Sequence, residues 1–236
     1  MQLFYTTEIH QTEALLSPEE SAHAIKVLRM KINDDLVFTD GMGGLYEASI
    51  MNAAANGCRL QLHKVERYDK DTADLTVAIA PTKKRDRFEW FIEKAVEFGC
   101  TEIQPIWCDH SERKHAREDR WESIGLSAMK QSLHLYKPDI HPPRDFAEMI
   151  EMYKDRQGYI AYIGEQKTTD FYQEYDPTVP SIVAIGPEGD FSEDEVLLAQ
   201  KAGWKVVSLG NYRLRTETAG IAVVMHAQTK LANLKA

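Results

Sequence analysis

After residue 75 the chain alternates short apolar segments with longer amphipathic segments, and this alternation constrains its fold more than any other feature. The apolar, strand-like segments are residues 75–80, 102–107, 159–163, 181–185 and 206–209. Strands that alternate with helices are typical of βαβ units and of a mostly parallel sheet. The pattern therefore predicts an α/β fold for this part of the chain.

A glycine follows each of the last three predicted strands, at Gly164, Gly186 and Gly210. In open α/β sheets, ligands bind outside the carboxyl ends of the strands, where glycine lets the backbone come close to the ligand. Three such loops indicate one composite pocket. Ordinary strand-to-helix turns also contain glycines, so the glycines alone leave both interpretations open.

The loop that begins at Gly186 combines glycine with acidic residues. Ser192, with Glu195 three residues later, predicts a capping box and a helix directly after this loop. The loop has neither the dinucleotide-binding nor the P-loop fingerprint, and Glu188 and Asp190 would repel a phosphate. A cofactor with a positive charge, such as a sulfonium, fits this loop better.

Polar residues are concentrated between the last predicted strand and an apolar helix predicted for residues 220–231. Thr216 and Thr218 are candidates to cap that helix. Arg213 and Arg215 are either ordinary surface charges or cations held at the pocket rim to meet a polyanion. The predicted pocket beside them favours the second interpretation.

The chain before residue 67 has a different pattern, with short β-like segments at residues 36–39, 45–50 and 59–63. The glycine-rich turn at residues 40–44 predicts a hairpin, and Ser17 followed by Pro18 predicts the start of one helix. We therefore expect a small barrel with one helix, followed by a polar linker at residues 68–72.

The formal net charge of −9 argues against a protein that binds nucleic acid with its whole surface. Two basic clusters, at residues 83–87 and 113–120, are compatible with a local nucleic-acid contact. A charge run is more often only a solvated face, so each cluster alone leaves that reading open.

The cysteines and histidines indicate neither a disulfide framework nor a metal site. Cys58, Cys100 and Cys108 form no CxxC pair, and none of the eight histidines has metal-ligand spacing. No apolar run reaches the roughly 20 residues that span a bilayer, and the opening residues do not resemble a secretion signal. We expect a cytosolic protein that binds no metal and no membrane.

Several motifs occur in a fixed order along nearly the whole chain. They are His23 with residues 27–29, Asp40-Gly41, Tyr46, Lys83, Glu89, Lys94-Ala95, residues 97–99, residues 103–105, residues 130–132, residues 186–189, Leu209-Gly210 and residues 214–219. Together these motifs resemble those of the ribosomal small-subunit methyltransferase E family.

This resemblance implies that the protein methylates N3 of a uridine in 16S ribosomal RNA with S-adenosyl-L-methionine. It implies a PUA-like RNA-binding β-barrel at residues 1–70 and a knotted SPOUT-type methyltransferase domain at residues 71–236, whose C-terminal trefoil knot forms the cofactor pocket. The implied partners are the RNA of the small subunit or of its assembly intermediate, and a second copy of the chain in a homodimer.

The motifs and the three loops together give an expected set of site residues. The expected cofactor-binding residues are Ile163, Gly164, Glu165, Ile185, Gly186, Pro187, Glu188, Gly189, Leu209, Gly210, Leu214, Arg215, Thr216, Thr218 and Ala219. The expected RNA-binding residues are His23, Lys26, Arg29, Lys83, Arg85, Arg87, Lys94 and Arg213.

Methylation of uridine N3 requires that its proton leaves and that the negative charge on the base is stabilised. Arg215 is the first candidate for the electrostatic role, because it is a fixed charge at the predicted rim. Glu188 and Glu217 are the candidates for taking the proton, and either is also compatible with a structural role.

The chain departs from the family pattern at three places. Asp190 stands where the family usually has a second glycine, and Leu133-His134 stand where an arginine is common. Residues 111–114 read Ser-Glu-Arg-Lys where the family usually has Glu-Arg-Ser, which leaves the register of this segment open. Aspartate tolerates left-handed backbone angles, so we expect the turn at Asp190 to persist. Two alternatives remain open: a SPOUT enzyme that methylates another RNA atom, such as a ribose 2′-hydroxyl, and a non-enzymatic RNA-binding or assembly protein.

Overall fold

The computed structural model describes residues 2–112, 116–164 and 168–235 and divides them into two compact units. The first unit contains the chain up to Asp71 together with Met129–Lys137. The second contains Thr72–Ala128 and the chain from Pro138 onward. No helix among the described residues is both long and apolar enough to span a bilayer.

The first unit is built on a six-stranded sheet. Its elements are β1 (Leu3–Tyr5), β2 (Ile9–His10), β3 (Glu13–Leu15), α1 (Pro18–Ala22), β4 (Asp35–Thr39), β5 (Gly44–Asn52) and β6 (Arg59–Arg67). The strand order is β1-β4-β5-β6-β3-β2, and every pair except β1 with β4 is antiparallel. Alternate residues of β5, Tyr46, Ala48 and Ile50, enter the core because side chains of a strand alternate between its two faces.

The hairpin predicted at residues 40–44 is confirmed. The carboxylate of Asp40 accepts hydrogen bonds from the backbone N–H groups of Met42, at 2.8 Å, and Gly44, at 3.0 Å. Gly43 has a φ of +85°, and a Cβ there would lie 2.4 Å from the carbonyl oxygen of Tyr68. Only glycine fits this turn.

The helix predicted after Ser17 is also confirmed. The hydroxyl of Ser17 accepts the backbone N–H of Glu20, and Pro18 occupies the first helical position. The chain then continues as a π-helical turn over His23–Val27.

Residues 129–137 belong to the first unit, although no local sequence pattern indicates this. The carbonyl of Leu135 accepts hydrogen bonds from the hydroxyl of Thr39 and the N–H of Gly43, and Lys137 donates its N–H to Gly41. Lys130 forms an ion pair with Glu20. Contacts between segments so distant in the chain leave no periodic signal in the sequence.

The second unit contains an eight-stranded sheet whose strand pairs are all parallel. Its elements are β7 (Leu75–Ile79), α2 (Arg85–Glu97), β8 (Glu102–Trp107), α3 (Glu118–Gln131), β9 (Asp139–Ile140), β10 (Arg144–Asp145), α4 (Phe146–Met152), β11 (Gln157–Ala161), β12 (Thr169–Asp170), α5 (Phe171–Glu174), β13 (Ser181–Ile185), α6 (Glu193–Lys201), β14 (Lys205–Ser208) and α7 (Thr216–Lys235). The order is β10-β8-β7-β13-β11-β14-β12, with β9 also paired to β8. The predicted α/β fold is confirmed.

Helices cover both faces of this sheet. Val77 and Ile79 of β7 belong to one hydrophobic core, with side chains from α2 and α7, whereas Ala78 belongs to a second core with side chains from α4 and α6. Burial on both faces explains why these strands are continuous apolar runs in the sequence.

Two predicted strands end earlier than expected. The strand predicted at residues 159–163 spans Gln157–Ala161, and the one predicted at 206–209 spans Lys205–Ser208. Gly158 of β11 lies against the indole of Trp204, where a Cβ would be 2.3 Å from the ring. Tyr162, Ile163 and Leu209 lie beyond the strand ends, in the loops.

A polar network joins the amino end of β8 to its neighbours. One carboxylate oxygen of Glu102 accepts hydrogen bonds from His141 and Tyr153, both at 3.1 Å. The other accepts the hydroxyl of Thr76 at 2.7 Å and lies 3.1 Å from the guanidinium of Arg156. Every oxygen of this partly buried carboxylate thus has a partner.

These contacts shift two pKa values in opposite directions. Burial alone would raise the pKa of Glu102, but the hydrogen bonds from His141 and Thr76 and the charge of Arg156 outweigh it and lower the pKa to about 2. The hydrogen bond to Glu102 raises the pKa of His141, although burial opposes this. The contribution of Glu102 to stability is present above its ordinary pKa of 4.5 and is lost as the pH falls toward 2. The contribution of protonated His141 to stability is complete below its ordinary pKa of 6.5 and is lost as the pH rises through its raised pKa.

We expect Glu102→Gln to lower the free energy of unfolding by about 2 kcal/mol near pH 5.5, because it removes the charge that His141 and Arg156 surround. Urea unfolding followed by circular dichroism measures this. The difference from the wild type should narrow between pH 4.5 and 2, where Glu102 takes up its proton. The control is Glu151→Gln, which removes an exposed ion pair with Lys154 and should change little. Equal stability of Glu102→Gln and the wild type at pH 5.5 would contradict the assignment.

Candidate functional site

A cavity of about 360 Å³ lies in the second unit, beyond the carboxyl ends of β11, β13 and β14. Its lining residues are Arg87, Ala161, Tyr162, Ile163, Ile185, Gly186, Pro187, Glu188, Asp190, Val207, Ser208, Leu209, Gly210, Tyr212, Arg213, Leu214, Arg215, Thr216 and Ala219. The loops after three parallel strands therefore form one composite pocket, as the glycine pattern predicts. Its size is in the usual range for a small-molecule site.

One hydrogen bond holds the loop that begins at Gly186 in place. The buried hydroxyl of Thr216, the first residue of α7, donates to the carbonyl of Gly186 at 3.0 Å. A Cβ at Gly186 would lie 3.1 Å from the ring of Phe191 and 3.2 Å from its backbone nitrogen. The loop thus lies between α7 and Phe191, and a side chain at Gly186 would require Phe191 to shift.

Asp190 fastens two of the loops together. Its φ of +63° is left-handed, as we expect for an aspartate that replaces a glycine at this turn. One carboxylate oxygen accepts the N–H of Phe191 at 2.9 Å, and the other accepts the N–H of Ile163 at 3.3 Å. Burial raises the pKa of Asp190, against these hydrogen bonds and the charge of Arg213. This carboxylate lines the cavity.

The predicted capping box that follows the loop is confirmed. The hydroxyl of Ser192 accepts the N–H of Glu195, and the carboxylate of Glu195 accepts the N–H of Ser192. Glu195 also accepts the N–H of Asp109 at 3.0 Å. The start of α6 therefore anchors the end of the acidic loop.

The two candidate proton acceptors lie in different surroundings. Glu188 is exposed at the cavity, and its carboxylate accepts the backbone N–H of Lys83 at 3.0 Å. Glu217 is only 7% exposed and does not line the cavity. Its Oε1 lies 3.6 Å from Nε of Arg87. Its Oε2 has no hydrogen-bond partner among the described residues.

A second, more open groove of about 480 Å³ lies in the same unit. Its lining residues are Asp86, Arg87, Trp90, Arg215, Glu217 and Thr218. Arg87 and Arg215 line both the cavity and this groove, and they form a shared wall. Within residues 2–112, 116–164 and 168–235, the structure shows no ion pair for the exposed guanidinium of Arg215.

Most residues expected to bind the cofactor line the cavity. Those that do are Ile163, Ile185, Gly186, Pro187, Glu188, Leu209, Gly210, Leu214, Arg215, Thr216 and Ala219. Gly164 and Gly189 do not line it, Thr218 lines the groove, and Glu165 lies outside the described residues.

Sequence reasoning missed six further lining residues. They are Ala161, Tyr162, Asp190, Val207, Ser208 and Tyr212. Four of these flank the ends of β11 and β14, whose predicted bounds were wrong, so a correct strand register would have found them. Arg87 and Arg213, expected to contact RNA, also line the cavity.

The expected RNA-binding residues of the first unit lie on or next to the π-helical turn. Lys26 and Arg29 are exposed, and Arg29 has a left-handed φ of +57°. His23 is partly buried, with its ring centroid 6.0 Å from that of Phe4. Its Nε2 has no hydrogen-bond partner in the part of the chain that the structure describes.

Several expected RNA-binding residues of the second unit already have carboxylate partners. Lys83 pairs with Glu112 at 2.6 Å, and Lys94 contacts both Glu93 and Glu97. Arg85 is exposed. Arg213 donates to the carbonyl of Glu188 at 3.4 Å. The basic residues 113–115 lie outside the described residues.

None of the three cysteines forms a disulfide bond, and all three are buried. The described residues contain no group of three or more His, Cys, Asp or Glu side chains arranged to hold a metal ion. The charged groups that line the cavity are side chains of the loops and of α2.

Comparison with known families and proteins agrees with this geometry. A family described as the RNA methyltransferase domain matches residues 69–228, and one described as the RNA methyltransferase PUA domain matches residues 16–62. The chain is 30% identical over 227 residues to ribosomal RNA small subunit methyltransferase E of Rickettsia conorii, with 92% of this chain and 88% of that protein covered. The chain belongs to the ribosomal RNA small subunit methyltransferase E family.

Two solved structures are similar along almost the whole chain. A probable rRNA-methyltransferase from Porphyromonas gingivalis has 39% sequence identity and a TM-score of 0.92, with 99% of this chain and 100% of that chain covered. Ribosomal RNA small subunit methyltransferase E from Neisseria gonorrhoeae, bound to S-adenosyl methionine, has 25% identity and a TM-score of 0.84, with 98% of each chain covered. The second unit has the fold of SPOUT-class methyltransferases.

Proposed function

We propose that this member of the methyltransferase E family transfers a methyl group from S-adenosylmethionine to N3 of a uridine in 16S ribosomal RNA. The observation that carries the proposal is the composite cavity at the carboxyl ends of β11, β13 and β14. Its lining includes Arg215, which has no ion-pair partner among the residues that the structure describes. Family membership gives the reaction class, and the cavity supplies a place for it. We also propose that residues 1–70 bind the RNA, that residues 71–236 carry the reaction and the trefoil knot, and that the protein acts in the cytoplasm.

The lining of the cavity suits a cofactor that carries an aromatic base and a positive charge. Ile185, Leu209 and Leu214 supply an apolar lining, whereas Glu188 and Asp190 supply negative charge. When bound there, S-adenosylmethionine supplies a methyl group on a positively charged sulfur, and the electron pair of the broken C–S bond remains on that sulfur. The loops orient this group and exclude water from it.

Arg215 and one carboxylate serve the RNA base in this proposal. The guanidinium of Arg215 stabilises the negative charge that develops on the base when N3 loses its proton. Glu217 is better placed than Glu188 to take that proton, because the carboxylate of Glu188 is held by Lys83, whereas Oε2 of Glu217 has no donor among the described residues. Deprotonation then leaves N3 free to attack the methyl carbon.

The test of the function is nucleoside analysis of ribosomal RNA. Small subunits from cells without the gene, incubated with purified protein and S-adenosylmethionine, should gain N3-methyluridine by mass spectrometry. A ribose-methylated nucleoside would show a different target atom, and the absence of any new modification would overturn the proposal.

We expect Thr216→Val to weaken S-adenosylmethionine binding about tenfold, because the buried carbonyl of Gly186 loses its donor and the loop is no longer fixed. Isothermal titration calorimetry measures this. Thr216→Ser keeps the hydroxyl and should bind within about twofold of the wild type. If the valine variant is folded by circular dichroism and binds as tightly as the wild type, the hydrogen bond does not shape the cofactor site.

Arg215→Ala should reduce kcat for methylation by about 100-fold while the affinity for S-adenosylmethionine changes little, since its proposed partner is charge on the base. Arg213→Ala is the matched variant and should raise KM for the RNA more than it lowers kcat. Activity of Arg215→Ala within a few-fold of the wild type at saturating RNA would remove Arg215 from the reaction.

We also propose that the active form is a homodimer. Helix α7 exposes Met225 and Leu234 beyond the faces that it packs against the sheet. Light scattering after gel filtration should give twice the chain mass of 26.9 kDa. A stable and fully active monomer would contradict this proposal.

A further inference from the structure

The groove beside the cavity has an aromatic wall that neither the fold nor the cofactor cavity requires. The core-facing side of α2 contributes the buried residues Phe88, Phe91 and Ile92, whereas Trp90 is 45% exposed and lines the groove. Arg87 lies three residues earlier, so the two side chains are neighbours on the helix surface. An exposed indole next to a guanidinium is a typical platform for a nucleic-acid base.

Glu217 lines the same groove, and one of its carboxylate oxygens has no donor among the described residues. Glu217 is 7% exposed, its Oε1 pairs with Arg87, and its Oε2 has no hydrogen-bond partner among the described residues. A buried carboxylate oxygen without a donor is costly, because it loses its water contacts and gains nothing in return. A ligand that donates an N–H at this point would remove that cost.

The polar groups of the groove match one base better than the others. Arg87 and Arg215 are donors, and Glu217 is an acceptor. The Watson–Crick edge of uracil presents the complementary set, in which one N–H at N3 lies between two carbonyl oxygens. Cytosine has no proton at N3 and has an amino group in place of one carbonyl. Its N3 acceptor would therefore face the acceptor Glu217, and its amino donor would face an arginine donor.

We propose that this groove binds the target uracil, stacked on Trp90 with its N3–H donated to Glu217. This inference rests on the proposed function and names its base-recognition site. Because Arg87 and Arg215 line both the groove and the cofactor cavity, a base bound in the groove lies next to that cavity. In the reaction, Glu217 takes the N3 proton and a methyl group replaces that proton on N3. The methylated base has no N–H for Glu217, which favours its release.

Substitution of Trp90 is the first test. Trp90→Ala should lower kcat/KM for unmethylated small subunits at least about fivefold, which is the lower end of a stacking contribution. Trp90→Phe should recover most of it. S-adenosylmethionine affinity by calorimetry should be unchanged in both. The matched control is Phe98→Ala, an exposed aromatic at the end of the same helix that does not line the groove, and it should behave as the wild type.

Photo-cross-linking gives a readout that a merely structural role for Trp90 would not produce. Unmethylated small subunits reconstituted with 4-thiouridine-containing RNA are irradiated with the wild-type protein and S-adenosylhomocysteine, and the cross-linked peptides are identified by mass spectrometry. Cross-links should map to the tryptic peptide of residues 88–94, and excess RNA whose target base is cytidine should compete poorly.

The outcomes separate this inference from the function on which it rests. If the wild-type protein makes no N3-methyluridine, both fail. If the wild-type protein makes N3-methyluridine, the methyltransferase activity stands. The groove is then not the base site if Trp90→Ala has the same kcat/KM as the wild type, or if cross-links map only outside residues 88–94.

Discussion

The parallel pairing of β11 with both β13 and β14 is the constraint on which the rest of the site depends. Parallel strands that share an edge must release their loops on the same side, so three loops distant in the chain meet around one cavity. The hydroxyl of Thr216 then fixes the loop at Gly186 to α7. The carboxylate of Asp190 joins that loop to the loop after β11. Sheet topology therefore places the site, and two hydrogen bonds give it a definite shape.

Features with a local cause could be predicted from the sequence. The capping box at Ser192 and Glu195, the Asp40 hairpin and the helix after Ser17 each depend on residues within a few positions of one another. The α/β pattern also follows from local periodicity, because strands buried on both faces are continuously apolar. The family motifs and the three glycine-containing loops together predicted most of the residues that line the cavity.

Features that depend on distant packing could not be predicted in this way. Gly158 of β11 packs against the indole of Trp204, and the sequence around Gly158 contains no sign of this contact. Likewise, an ion pair between Arg87 and Glu217 joins α2 to α7. Arg87, which the sequence predicted to contact RNA, is thereby part of the cavity lining. The family resemblance predicted the reaction, whereas the arrangement of charged and aromatic side chains around the groove could be seen only in the structure.

The wall formed by Arg87 and Arg215 has a thermodynamic consequence. Because both side chains line the cavity and the groove, any ligand that displaces or neutralises them on one side changes the free energy of binding on the other. Linkage requires this effect to be reciprocal, so each ligand must alter the affinity of the other by the same factor. In the proposed reaction, the cofactor loses its positive charge beside these two arginines. The affinities of the two products are then coupled rather than independent.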